Sequence, residues 1–168
     1  MSEDAILNTS EKEMIALGAS IAAGCQPCTM HHIEAARTAG ACHKGTTLAI
    51  SVAADVRRVA TEAMSAWGIE QLGGAAELPD EWLAQRKLIR ALVSVAAAFA
   101  VNSVTEFHRL AEEAHHHGAT DRQIRLAVTI ARRIKGVASE KVEAAAQQLL
   151  PEYEPEVHLV GGRCGCPA

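Results

Sequence analysis

The sequence predicts an all-α fold, a helical bundle built from two tandem pseudo-repeats. Three observations carry that reading. Of 168 residues, 49% are apolar and only 3% aromatic. The apolar mass is therefore mostly Ala with Val, Ile and Leu, which suits helices packed closely through small side chains. Apolar residues recur at helical spacing along nearly the whole chain. The same spacing then returns after 78 residues.

The first helix is expected from Ser10 to Ala23, opened by Ser10 with Glu13 three residues later as in a capping box. Gly24 breaks it. A second helix starts near Cys25 to Pro27, since proline is tolerated in the first turn, and stops at Gly40. A third is expected from about Thr46 to Trp67, with Leu48, Ile50, Val52, Val56 and Val59 among its apolar positions. Helices resume at Asp80 to Val101, Ser103 to His117, Asp121 to Lys135 and Ala138 to Leu150. The expected organisation is one helical domain over 1–150. Repeat one covers about 10–67, a Gly- and Pro-containing linker 68–79, and repeat two about 80–150. Residues 151–168 read as an extended tail ending in Cys-Gly-Cys.

The repeat is read by sliding the second half back 78 positions. Gly118-Ala119 then falls on Gly40-Ala41, Ala114 on Ala36, Leu126-Ala127 on Leu48-Ala49, and Ala131 on Ala53. Val128, Ile130 and Ile134 meet Ile50, Val52 and Val56, and Leu92 meets Met14. The polar positions do not follow. Cys25 meets Ser103, Cys28 meets Glu106, His32 meets Leu110 and Glu13 meets Ala91.

Charge and composition narrow the function. The formal charge is −4 and the basic residues are scattered, which argues against a nucleic-acid partner. The acidic start Met1-Ser2-Glu3-Asp4 lacks the form of a secretion signal, and Leu92 to Val101 is too short to span a membrane. A cytoplasmic location and no membrane partner are expected. In a reducing compartment five cysteines read as catalytic, metal-binding or incidental before structural bridges.

The chemistry concentrates in Cys25-Gln-Pro-Cys28-x-x-x-His32. At i, i+3 and i+7 the three side chains share one helix stripe. Both sulfurs lie in a first turn, where free amides and the helix dipole favour a thiolate. His32 is placed to take a proton from the Cys28 thiol. Glu13, on the preceding helix, is placed to orient His32 after an antiparallel return through Gly24. A zinc-binding or metal-sensing protein is the alternative. It needs a fourth ligand from Cys42, His31 or the tail. No cofactor and no metal are expected at the redox site.

Glu13, Cys25-x-x-Cys28-x-x-x-His32, Ala36 and Gly40-Ala41 together resemble the alkylhydroperoxidase D-like group of the carboxymuconolactone decarboxylase superfamily, most strongly over Glu11 to Arg58. The resemblance implies an all-α fold, a homo-oligomer (trimer or hexamer), and a peroxide substrate reduced by a dithiol. A thiol or dithiol reductant would recycle that dithiol. By the same resemblance Cys28 attacks peroxide, Cys25 resolves the sulfenic acid to a disulfide, and Glu13 and His32 relay protons. Pro27 stands between the cysteines where the protein that gives the group its name has a histidine. That protein also carries its motif in the later of two repeats. The residues alone leave the attacking sulfur open, because Cys25 is nearer the helix start while Cys28 has His32 one turn on. Lactone decarboxylation, the superfamily's other chemistry, is a further alternative, though it has no need of a dithiol.

Cys164 and Cys166, on a Gly-rich arm beside Arg163, form a candidate redox shuttle. Soft-metal capture or an inert tail are the other readings. Cys42 is expected as a small buried residue. His115, His116 and His117 face different sides of a helix and read as exposed helix-end residues. Asp55, Arg57 and Arg58 are expected at a subunit interface or in solvent.

Overall fold

In the computed structural model, which describes residues 7–150, the first helix begins one residue earlier than the sequence suggests. Helix α1 spans Thr9–Ala23. Its N-cap is Asn8, whose side chain accepts the Glu11 amide at 3.0 Å while Glu11 accepts the Asn8 amide at 2.8 Å. This reciprocal box satisfies two first-turn donors. It corrects the expected Ser10–Glu13 box and leaves Glu13 free to turn inward.

Helix α2 spans Gln26–Thr38 and α3 spans His43–Gln71. α1 packs against both. Its buried stripe, Glu13, Ala16, Leu17 and Ser20, has the i, i+3, i+4, i+7 spacing of one helix face. Gly18 lies beside α3, where an added Cβ would stand 3.7 Å from the Ala49 carbonyl oxygen and 3.9 Å from the Ala53 Cβ. The small residues set how closely the helices approach.

A second unit begins after Ala75. It holds a short α4 (Asp80–Ala84), then α5 (Lys87–Ala100), α6 (Val104–His116) and α7 (Asp121–Leu149). α5 packs against α6 and α7. The core here is Ala91, Val95, Ala114, Ala119 and Ile124, ringed by Leu88, Leu92, Phe107 and Leu110 among others. The bounds of α6 and α7 are those of α2 and α3 displaced by 78 residues.

The helix ends repeat in the same register. At Gly40 the amide bonds to the Arg37 carbonyl and the Ala41 amide to that of Ala36. Gly118 and Ala119 repeat the pattern on His115 and Ala114. Gly24 and Cys25 make it on Ile21 and Ser20, and Asn102 and Ser103 on Phe99 and Ala98. Each is a Schellman stop that needs a left-handed residue, supplied by glycine three times and by Asn102 at φ 57° once.

Three expected boundaries change. The third helix continues through Gly68, and its stop is Gly73 at φ 78°, where Gly73 and Gly74 bond back to Glu70 and Ile69. α7 runs unbroken past Gly136, because one interior glycine costs only about 1 kcal/mol and strong helix formers flank it. The stretch before Val101 is two helices, parted where Arg86 leaves helical geometry at φ −112°, ψ 18°. Among the described residues there is no strand, and no helix is long and apolar enough to cross a membrane.

Candidate functional site

The turn from α1 to α2 builds the site. Gly24, at φ 70°, reverses the chain, and Cys25 follows in extended geometry as the N-cap of α2. The Cys25 sulfur takes the place of the usual cap oxygen and accepts the Cys28 amide at 3.3 Å. Pro27 lies in the first turn, where its missing amide costs nothing. Cys25 and Cys28 are joined in a disulfide, their Cα atoms 5.3 Å apart. Both residues are half-buried.

The antiparallel return sets α1 against the inner face of α2. Glu13 is 1% exposed and His32 6%. His32 Nδ1 lies 2.8 Å from Glu13 Oε2. A carboxylate this buried is held by a charged or hydrogen-bonded partner, and the imidazole is that partner. The other carboxylate oxygen, Glu13 Oε1, is buried with no hydrogen-bond partner among the described residues. The edge of the His31 ring meets His32, with centroids 4.9 Å apart. His31 is only half-buried.

Two hydroxyls that the sequence reading missed lie beside the cysteines. Ser20, 6% exposed, donates to the Leu17 carbonyl at 2.7 Å. Its oxygen is 3.1 Å from Thr29 Oγ1, which donates to the Cys25 carbonyl at 3.0 Å. Neither residue type marks chemistry by itself. The available signal was their position, since Ser20 lies on the Glu13 face of α1 and Thr29 directly follows Cys28. Arg57, from α3, donates to the Ile21 carbonyl at 3.3 Å, in the last turn of α1. It supplies positive charge at a helix C-terminus.

The second unit has no such set at the equivalent positions. Ala91 and Leu110 pack in its core where Glu13 and His32 stand in the first. Glu106, at the Cys28 position, is on the surface and bonds to Arg109 at 2.6 Å. That hydrogen bond, with the guanidinium charge, holds the Glu106 carboxyl below the usual carboxylate range. On the exposed face of α2, Arg37 does the same to Glu34.

Cys42 corrects its expectation of burial. It is exposed at the N-cap of α3, where its side chain makes no capping hydrogen bond. The three histidines at the end of α6 are exposed, and His115 Nε2 lies 3.4 Å from Asp121 Oδ1. Among the described residues no three His, Cys, Asp or Glu side chains converge as a metal site. Cys164 and Cys166 lie outside the described residues.

Residues 1–69 match the family model for the carboxymuconolactone decarboxylase family. This segment, which carries the cysteines, Glu13 and His32, is similar to that family. No curated protein and no solved structure matches the chain.

Proposed function

We propose that the protein is an alkylhydroperoxidase D-like, thiol-dependent peroxidase or disulfide reductase of the cytoplasm. The observation that carries the proposal is the Cys25–Cys28 pair at bonding distance in the first turn of α2, one turn from a histidine whose buried partner is Glu13. With Nδ1 committed to Glu13, Nε2 is the nitrogen left to exchange protons with the dithiol.

In the proposed cycle the Cys28 thiolate attacks a peroxide oxygen. An S–O bond forms, the O–O bond breaks, and the alcohol leaves with a proton passed through His32. Cys25 then attacks the Cys28 sulfenic acid, forming the S–S bond and releasing water. A thiol or dithiol reductant returns two electrons and two protons. Cys28 and Cys25 are the reacting groups, and Glu13 and His32 the proton relay.

Free-thiol counting tests this. One equivalent of an organic hydroperoxide should remove two thiols per chain and leave a Cys25–Cys28 bridge in the peptide map. No thiol loss at that dose contradicts the proposal.

A second reading, lactone decarboxylation, is favoured by the name of the matching family and by the buried acid–base pair. Activity on a lactone that persists in a Cys25→Ser, Cys28→Ser double variant would support it over the redox reading. The finer reading of the assembly is a homo-oligomer. Each unit exposes an apolar stripe, Leu48, Val52 and Val56 in one and Leu126, Ile130 and Ile134 in the other. Exposed apolar stripes of this kind are candidate association surfaces.

A further inference from the structure

Cys25 is held by more than its disulfide. Its amide donates to the Ser20 carbonyl at 3.0 Å. Its carbonyl accepts the Thr29 amide at 2.9 Å and the Thr29 hydroxyl at 3.0 Å. The Thr29 hydroxyl in turn touches the Ser20 hydroxyl. Ser20 therefore reaches both backbone polar groups of Cys25, through its own carbonyl at the amide and through the Thr29 hydroxyl at the carbonyl.

The hydroxyls are not needed to close this turn. At the same register in the second unit, Ser103 follows Asn102 in the same Schellman stop, and its amide bonds to the Ala98 carbonyl at 3.0 Å. There the Ser20 position is Ala98, a buried methyl, and the Thr29 position is Phe107, packed on the core and edge-on to Phe99 at 6.2 Å. Of these two equivalent turns, the first has a hydroxyl at both positions and the second at neither. The hydroxyl pair occurs in the unit that has the cysteines, Glu13 and His32.

We infer that Ser20 and Thr29 are positioning residues for the dithiol, fixing the Cys25 backbone so that its sulfur stays within bonding reach of Cys28. The inference rests on the redox reading above, at the level of the dithiol and independently of its oxidant. Preorganisation of two thiols raises their effective concentration toward each other and so stabilises the disulfide against external thiols. Two hydroxyl protons serve three contacts, with the Leu17 carbonyl, the Cys25 carbonyl and the other hydroxyl. Loss of either hydroxyl therefore disturbs the same small network, and the two losses should not add.

The experiment is a glutathione equilibrium on the full chain, with Cys42, Cys164 and Cys166 changed to Ser so that one pair is read. Two glutathione thiols reduce the Cys25–Cys28 bond, giving the dithiol and one oxidised glutathione. Thr29→Val and Ser20→Ala should each make the bridge about 3- to 10-fold easier to reduce, the fold-change of a typical lost hydrogen bond. Thr29→Ser should stay within about 2-fold of the parent, and the double variant should fall no further than the weaker single.

An unmoved constant in both single variants would overturn the inference, as would Thr29→Ser failing to rescue. Circular dichroism confirms that each variant is folded before its constant is read. No peroxide enters the assay, so a protein that ignores hydroperoxides can still pass it. A parent chain that forms no Cys25–Cys28 bridge at any glutathione ratio would instead bring down the dithiol reading itself and this inference with it.

Discussion

Glu13 and His32 show what a single buried pair asks of its surroundings. Each is nearly sealed from water, and each has the other at 2.8 Å. Glu13→Ala strands the imidazole and should cost about 2 kcal/mol in a urea titration. Ala91 and Leu110 occupy the equivalent positions of the second unit without a polar group between them. Hence the double variant Glu13→Ala, His32→Leu should recover at least half of the loss while abolishing peroxide-driven thiol loss. A double variant less stable than Glu13→Ala would contradict the view that the scaffold accepts either pair. The sequence named the four residues by type and spacing. It could not name Ser20 or Thr29, because Ser and Thr in Ala-rich helices are ordinary, and only the antiparallel return puts their hydroxyls together.

The helices owe their ends to a few backbone-competent residues. Gly40 takes φ 89° with nothing within 4 Å of an added Cβ, so a side chain there meets strain and no clash. Gly40→Val should cost more than about 1 kcal/mol, and Gly40→Asn distinctly less, as Asn102 already serves in this role. Equal losses in chemical denaturation would contradict that account. Gly136 is the opposite case, a glycine inside α7 with open space around it. Gly136→Ala should raise stability by about 1 kcal/mol. An unchanged midpoint would mean that this stretch is not helical in solution.

Helix existence and the stops at Gly24, Gly40 and Gly118 were legible, since apolar periodicity and glycine carry them directly. Ser10–Glu13 and Asn8–Glu11 both have the spacing of a capping box, so spacing alone does not choose between them. Burial of the Glu13 face decided between them. Gly68 and Gly73 are equal candidates for the stop by local composition, and Gly73 is the one that takes the left-handed turn.

At the scale of the molecule, two three-helix sets share one register and differ in their polar residues. One carries a Cys-Cys-Glu-His set with its hydroxyls, and the other carries Ser103, Glu106, Ala91 and Leu110 at the same positions. On the proposed reading there is one dithiol per chain. Both units also expose an apolar stripe on their long helices. Val52→Glu with Val56→Glu should convert a multi-chain assembly to single chains in light scattering, with helicity retained. A wild-type protein already at single-chain mass would contradict the proposed association. The register was legible from Gly-Ala pairs and apolar spacing, whereas the exposure of the stripes was not, because the same periodicity describes a face turned inward or outward.

The central claim is that the Cys28 sulfur meets peroxide and Cys25 resolves it. Its most direct measurement is mass spectrometry of Cys25→Ser and Cys28→Ser chains given one equivalent of hydroperoxide with dimedone present. The account predicts a sulfenic-acid adduct on Cys28 in the first variant and none on Cys25 in the second. An adduct on Cys25 alone would reverse the roles, and no adduct on either cysteine would contradict the claim.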